Sequence, residues 1–230
     1  MSNSKGTLTM SEQEKAFWDV IEAFNQVGLL SHVMIIGSWA EYIYKKFLSL
    51  DFTLDLRTRD IDFFYRNINK PHEKLKIIDA LEEKGFVYSE DIISGVGKFF
   101  LRDCIEVEFI TRMLGKGQAV NKIPSLGVKA ESLREVNMLT NYSLELKCDG
   151  YSLIVPEPEI YALQKLYANK TRKPIFKKEK DIRSIRELLP YLNKSRLHSI
   201  FNELIKNEQK RILETIQLNY LNYLNDLFNQ

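Results

Sequence analysis

Two pairs of carboxylates occur within short stretches in which polar and apolar residues alternate. Asp60 and Asp62 belong to the first stretch, and Glu106 and Glu108 belong to the second. Because side chains alternate between the two faces of a β-strand, each pair places both carboxylates on one face, with apolar residues on the other. Carboxylates held that close repel one another, and burying them is costly without a cation. The pattern therefore predicts a site for a divalent metal, which oxygen ligands favour.

A Gly-Ser pair, Gly37 and Ser38, precedes both carboxylate pairs at the end of the apolar run 33–36. Glycine lets a ligand approach the backbone closely, and a serine with the free amides of a helix start can bind a phosphate. A serine in this place is also a common helix N-cap, and either acidic pair alone is typical of the exposed face of an antiparallel sheet. Each motif taken singly therefore leaves a purely structural explanation open.

Hydrophobic spacing predicts the elements that must position these residues. Helices are predicted at 11–29, 38–48, 71–83 and 132–139. Ser11 would cap the first of them, and Pro71 would lie in the first turn of the third. Strands are predicted at 33–36, 60–65, 86–88, 98–102 and 104–110, and a hairpin at 142–147 and 151–155 around Asp149-Gly150.

The composition changes after Pro156 and Pro158, where strand signals stop. Helices are predicted beyond this point at 159–169, 178–189, 194–205 and 209–228. We therefore expect an α+β fold, in which a mixed β-sheet core with flanking helices occupies residues 1–155. An α-helical C-terminal domain is expected over residues 156–230.

The overall composition is that of an ordinary globular protein, with 44% hydrophobic and 28% charged residues in a chain of 230. No apolar run is long enough to span a membrane, and the first ten residues lack the apolar segment of a secretion signal. Cys104 and Cys148 show no CxxC spacing and are expected to be reduced thiols. We therefore expect a cytoplasmic protein without membrane contact.

Basic residues are concentrated in one segment of the C-terminal half. Residues 165–186 contain nine basic and two acidic residues, a net charge of +7, whereas the whole chain carries only +2. This asymmetry predicts an anionic ligand nearby, either a phosphate or a nucleic acid, including a possible RNA contact. A solvated helix face would explain the segment equally well.

The motifs in their order, over residues 30–112, resemble the DNA polymerase β-type nucleotidyltransferase superfamily. That order is a strand, Gly-Ser, a helix, Asp-x-Asp on the next strand and a later acidic strand. The resemblance implies that the Gly-Ser pair grips a nucleoside triphosphate and that three carboxylates hold two Mg²⁺ ions, with Mn²⁺ as a substitute. The implied site residues are Gly37 and Ser38 for phosphate, and Asp60, Asp62 and Glu108 for metal and catalysis.

The chain departs from the common pattern of that superfamily in its third carboxylate, which is more often Asp. Glu108 is favoured because Phe109-Ile110-Thr111 follows it as in related sequences, but Glu106 lies on the same face and could take the role. The 22 positions that separate the serine from the first Asp of Asp-x-Asp exceed the spacing of minimal members. That length fits a larger subgroup with an added segment.

The C-terminal half is similar to toxin-like nucleotidyltransferases of abortive-infection and toxin–antitoxin systems. Leu163-Gln164-Lys165-Leu166 and a later Lys180-Asp181 carry this resemblance. It implies that Lys165 contacts phosphate and that Asp181 completes the site. The alternatives are a solvent-exposed Lys165 and an Asp181 that pairs with Lys178 or Arg186.

Together these features predict a magnesium-dependent nucleotidyltransferase. It would transfer a nucleoside monophosphate from a nucleoside triphosphate to an acceptor hydroxyl on a protein, an RNA or a small molecule such as an antibiotic. Two alternatives stay open: a catalytically silent protein of this fold that acts as a binding or antitoxin partner, and an RNA-binding module that uses residues 165–186. The enzyme hypothesis requires the four carboxylates to converge beside the Gly-Ser pair.

Overall fold

The computed structural model describes residues 10–53, 58–102, 105–113 and 116–219, together with residues 221, 224 and 228. The helices in these residues are α1 (Met10–Gln26), α2 (Gly37–Phe47), α3 (Ile77–Glu82), α4 (Pro158–Asn169), α5 (Ile175–Leu188), α6 (Lys194–Glu203) and α7 (Lys206–Leu218). The strands are β1 (Val33–Ile35), β2 (Asp60–Tyr65), β3 (Val87–Glu90), β4 (Gly97–Leu101), β5 (Ile105–Arg112), β6 (Val120–Ile123), β7 (Val128–Leu133), β8 (Ser143–Cys148) and β9 (Tyr151–Pro156).

Seven strands form one mixed sheet, which confirms the expected α+β class. The strand order is β1-β2-β5-β4-β3, and β7 also pairs with β5 and carries β6 at its other edge. β2 and β5 run parallel, whereas β1 pairs with β2 and β4 pairs with β5 in the antiparallel sense. β8 and β9 form the predicted hairpin, in which Asp149 and Gly150 both have positive φ, as a tight two-residue turn requires.

The apolar face of the central strands is covered by α1. The Phe24 ring lies 4.6 Å from the Phe63 ring of β2 and 5.7 Å from the Phe109 ring of β5, measured between centroids. Phe17 stacks on Trp39 of α2 at 4.4 Å. Because side chains alternate along a strand, this packing directs the carboxylates of β2 and β5 to the opposite face of the sheet.

Two of the helices predicted before residue 155 are wrong in whole or in part. The helix predicted from Pro71 begins only at Ile77, because the Leu75 amide donates to the Ser125 carbonyl oxygen at 2.8 Å and holds the preceding segment outside the helix. The helix predicted at 132–139 is replaced by the end of β7 and a short 3-10 turn at Asn137–Asn141. β6 and β7 were not predicted at all.

The C-terminal helices surround α4, which packs against α5, α6 and α7. α7 ends at Leu218, earlier than the predicted helix 209–228, and the Asn219 amide and side chain both donate to the Thr215 carbonyl oxygen. The predictions for Tyr220, Tyr223 and Leu227 of that helix, and for the thiol of Cys104 and the cap of Ser11, fall outside the described positions and side chains. Cys148 is buried and free.

Among the described residues, no helix combines the length and the apolar character that crossing a membrane requires.

Candidate active site

The two acidic pairs meet at the boundary between β2 and β5. The parallel register sets Asp60 opposite Glu106 and Asp62 opposite Glu108. Carboxylate oxygens of Asp60, Glu106 and Glu108 lie within 4.8 Å of one another. The register thus places all four residues on one face, although Asp62 is not among the three whose oxygens lie this close. We refer to Asp60, Asp62, Glu106 and Glu108 as the acidic cluster.

Gly37 places the start of α2 directly against this cluster. Its φ is +66°, and a Cβ atom at this position would lie 2.5 Å from Asp62 Oδ2, so that only glycine fits without displacing the carboxylate. The Ile36 amide also donates to the Asp62 carbonyl oxygen at 3.1 Å. Ser38 is the second residue of α2, and Ile36 holds the N-cap position, so the alternative role of Ser38 as N-cap is wrong.

The acidic cluster carries an unfavourable excess of negative charge. Burial, followed by the neighbouring charges of Glu108 and Asp60, raises the pKa of Asp62 to about 7, although Arg172 and Lys177 act in the opposite direction. Burial also raises the pKa of Glu108, although an ion pair with Lys98 opposes this shift. A bound cation would relieve the repulsion, and the hard carboxylate oxygens fit Mg²⁺ or Mn²⁺.

Lys98 on β4 is a cation of the site that the sequence did not reveal. It lies opposite Glu108 in the β4–β5 register, and its Nζ is 2.9 Å from Glu106 Oε2 and forms a second ion pair with Glu108. Burial works against the charge on Lys98, but the hydrogen bonds to Glu108 and Glu106 outweigh it and raise the Lys98 pKa. Only the strand register, which sequence spacing does not give, identifies this contact.

A cleft of about 690 Å³ separates the sheet from the C-terminal helices. The sheet side contributes three residues of the acidic cluster together with the Gly-Ser pair, and α4, α5 and the segment between them contribute the basic side. The basic lining residues are Lys165, Arg172, Lys177, Lys180 and Arg183. The positively charged segment therefore borders the same cleft as the carboxylates, as an anionic ligand would require.

Lys165 is buried and paired within this cleft. Its Nζ lies 3.1 Å from Asp181 Oδ1 and 3.5 Å from Glu41 Oε1, and Arg172 Nε lies 2.9 Å from Asp181 Oδ2. The alternative of a solvent-exposed Lys165 is therefore wrong. Asp181 pairs with Lys165 and Arg172, and not with Lys178 or Arg186. We refer to Glu41, Lys165, Arg172 and Asp181 as the buried ion network.

Tyr161 connects the buried ion network to the Gly-Ser pair. Its hydroxyl lies 2.8 Å from the Gly37 carbonyl oxygen and 2.6 Å from Glu41 Oε1, and the Ser184 hydroxyl donates to the same Glu41 oxygen. The start of α2 is thus held by side chains of α4 and α5. Neither Glu41 nor Tyr161 carries a sequence signal for this role, because each lies at a helical position typical of the core.

A protein-family model described as "Nucleotidyltransferase" matches residues 15–209, which include the sheet, the cleft and most of the C-terminal helices. The chain therefore belongs to this nucleotidyltransferase family, whose members transfer nucleoside monophosphates. No curated protein matches the chain.

Solved structures with a similar fold carry low sequence identity. An antigenic nucleotidyltransferase-like protein from Paracoccidioides brasiliensis aligns with a TM-score of 0.58 and 17% identity, over 97% of this chain and 95% of that chain. Two structures of ANT(2'')-Ia also align. The crystal structure with adenylyl-2''-tobramycin has a TM-score of 0.49 and 14% identity, over 82% of this chain and 94% of that chain. The solution structure of this antibiotic-resistance factor has a TM-score of 0.45 and 12% identity, over 95% of this chain and 99% of that chain. The likeness to the fungal protein shows a shared fold.

Proposed function

We propose that the protein transfers a nucleoside monophosphate from a nucleoside triphosphate to an acceptor hydroxyl in a magnesium-dependent reaction. The observation that carries this proposal is the meeting of three features in one cleft: Asp60, Asp62 and Glu106 of the acidic cluster, which lie beside Glu108, a Gly-Ser helix start and a row of basic side chains. Membership of the nucleotidyltransferase family supports the reaction class.

Asp60, Asp62 and Glu108 would hold two magnesium ions, for which Mn²⁺ can substitute, and Glu106 lies within reach of the same position. When bound, such ions polarise phosphoryl oxygens and neutralise the triphosphate charge. The fit rests on the donor set: oxygen ligands only, with more negative charge than the neighbouring cation Lys98 neutralises.

The triphosphate would lie between the start of α2 and the basic side of the cleft. The first amides of α2 at Gly37 and Ser38 have no partner within the helix and suit a phosphate oxygen. Lys165 would supply a further contact, because an ammonium has three N–H donors and the ion pairs with Glu41 and Asp181 use two of them.

In the proposed reaction the acceptor hydroxyl oxygen attacks the α-phosphorus. A bond forms between these two atoms, the bond from the α-phosphorus to the bridging oxygen breaks, and pyrophosphate leaves. The hydroxyl proton passes to Glu108, whose pKa burial raises. Arg172 and Lys177 line the cleft, where they stabilise the charge that develops on the leaving pyrophosphate.

We further propose that the chain is a member of the toxin-like kind, and that its acceptor is a protein, an RNA or a small molecule. The pairing of Lys165 with Asp181 beside the cleft supports this assignment. Residues 1–155 would form the catalytic core and residues 156–230 the helical domain that closes over the nucleotide. The change from strands to helices between Pro156 and Pro158 supports this division.

The test measures nucleotide binding first and transfer second. Isothermal titration of each nucleoside triphosphate with and without Mg²⁺ should show metal-dependent binding that Asp60→Asn abolishes. Glu90→Gln, on β3 and outside the cleft, is the matched control and should bind as the wild type does. Transfer of an α-labelled phosphate to a panel of proteins, RNAs and aminoglycosides would then identify the acceptor. Nucleotide binding that ignores both Mg²⁺ and Asp60→Asn would favour the catalytically silent alternative.

A further inference from the structure

β4 delivers a lysine into the acidic cluster from the side opposite to β2. Lys98 stands opposite Glu108 in the register, and its ammonium group bridges Glu106 and Glu108 on β5. About a quarter of the side chain of Lys98 is exposed (27%), and Glu108 is more enclosed (13%). The lysine therefore lies on the same face of the sheet as the carboxylates and neutralises one side of their cluster.

A lysine in this position has a consequence for any metal that binds there. The ammonium group occupies carboxylate oxygens that a divalent ion would use, and its charge repels that ion at short range. Both effects weaken metal binding. When the ammonium group leaves Glu108, the oxygens become free and the repulsion decreases with the greater distance.

We propose that Lys98 is a built-in cation that competes with divalent metal for Glu108. It is a positioning residue, and the inference rests on the proposed function, in which the acidic cluster holds Mg²⁺. The two glutamates of β5 then have different tasks. Glu108 exchanges Lys98 for the metal, whereas Glu106 retains the displaced ammonium group beside the site.

This arrangement explains how the protein tolerates four clustered carboxylates without metal. Lys98 reduces their repulsion in the free protein and so limits the cost of keeping Asp60 and Asp62 beside Glu108. The metal must then displace an ion pair before it binds. The affinity for Mg²⁺ is therefore lower than the donor set alone would give.

The experiment titrates Mg²⁺ and Mn²⁺ into the protein without nucleotide and measures affinity by calorimetry. Lys98→Met and Lys98→Gln should each bind metal roughly tenfold or more tightly than the wild type, because the competing charge is gone. Lys98→Arg keeps the charge and should stay near the wild-type affinity. Lys129→Met is the matched control, since Lys129 of β7 pairs with the exposed Glu90 of β3, and it should leave the metal affinity unchanged.

A second measurement uses the wild type alone and does not depend on the folding of a variant. Amine-reactive labelling followed by mass spectrometry should show that saturating Mg²⁺ makes Lys98 severalfold more reactive, while Lys129 stays constant. Unchanged labelling of Lys98, or unaltered or weaker metal binding in both neutral variants, would overturn the inference. If neither the wild type nor any variant binds metal, the magnesium site of the proposed function fails instead.

Discussion

Two groups of charged side chains contribute residues to the same cleft, and they differ in their balance of positive and negative charge. The acidic cluster contains four carboxylates and one neighbouring cation, Lys98, whereas the buried ion network contains two carboxylates and two cations. The first group is partly open to the cleft, and in the second Glu41, Lys165 and Asp181 are buried. An excess of one charge, kept accessible, indicates a place for a ligand. A buried group with equal numbers of positive and negative charges indicates a structural connection between helices.

This comparison leads to opposite expectations for mutations. Removing one member of a balanced buried group leaves its partner uncompensated and destabilises the fold. Removing a carboxylate from the acidic cluster relieves repulsion and should affect activity far more than stability.

The largest effect is expected for Asp60→Asn on nucleotidyl transfer. Loss of a carboxylate that we propose binds metal should reduce the rate by about a thousandfold, by analogy with the loss of other groups that stabilise transition-state charge. The free energy of unfolding without metal should not fall, because one repelling charge is removed. Rate assays and urea denaturation on the same preparation check both parts, and a large loss of stability would contradict the comparison.

The next effect is expected for Lys165→Met on stability. Asp181 would then keep only Arg172, and Glu41 would keep only the hydroxyls of Tyr161 and Ser184, without a cation. We therefore expect a loss of about 3–5 kcal/mol in the free energy of unfolding. The control is Lys170→Met, whose partner Glu214 is on the surface, and its loss should stay below about 1 kcal/mol. Similar losses in the two variants, measured by urea denaturation, would show that the network is not a structural connection between helices.

A third prediction compares two glycines with positive φ. Gly37 and Gly28 have φ values of +66° and +73°, but a Cβ at Gly37 would meet Asp62, whereas a Cβ at Gly28 would meet nothing within 4 Å. Gly28→Ala should therefore cost about 1 kcal/mol from backbone strain alone. Gly37→Ala should cost more and should also impair metal and nucleotide binding. Equal effects of the two variants on binding would contradict the contact with Asp62.

The smallest effect is expected for two adjacent lysines of α5. Lys177 lines the cleft and Lys178 lines a separate groove between α5 and α7. Lys177→Gln should weaken nucleoside triphosphate binding by about threefold at low salt, as for one screened surface charge, and Lys178→Gln should leave it unchanged. Equal weakening of RNA binding by both variants, with steep salt dependence, would support the RNA-binding alternative.

The sequence was sufficient to locate the residues of the acidic cluster and the Gly-Ser pair, because each lies in a local pattern. Strict alternation around Asp60 and around Glu106 identifies a strand and a face without knowledge of the rest of the chain. The choice between Glu106 and Glu108 could not be made in this way. Both residues join the cluster, and only the register with β2 and β4 shows that Lys98 contacts both.

Long-range pairing explains the strands that the sequence did not predict. β4 covers β5 only as far as Glu108, and β7 occupies the remaining edge opposite Ile110–Arg112. Ser132, predicted to begin a helix, instead contacts Thr111 and Asn121 through hydroxyl and amide hydrogen bonds. A short polar segment such as the one at Ser132 has only a weak intrinsic preference for helix or strand. An unpaired edge of β5 can therefore determine which of the two it forms.

The hydrogen bond from the Tyr161 hydroxyl to the Gly37 carbonyl oxygen affects how parts of this chain could be combined with parts of related proteins. A catalytic core and a helical domain are often treated as exchangeable modules, but here the turn that we propose binds phosphate contacts the phenol of Tyr161 on α4. A chimaera with a foreign helical domain would therefore have to retain a tyrosine at this position, or it would inherit a loosened turn. The secondary structure changes near residue 156, but the candidate active site depends on residues from both sides of that boundary and could not be divided there.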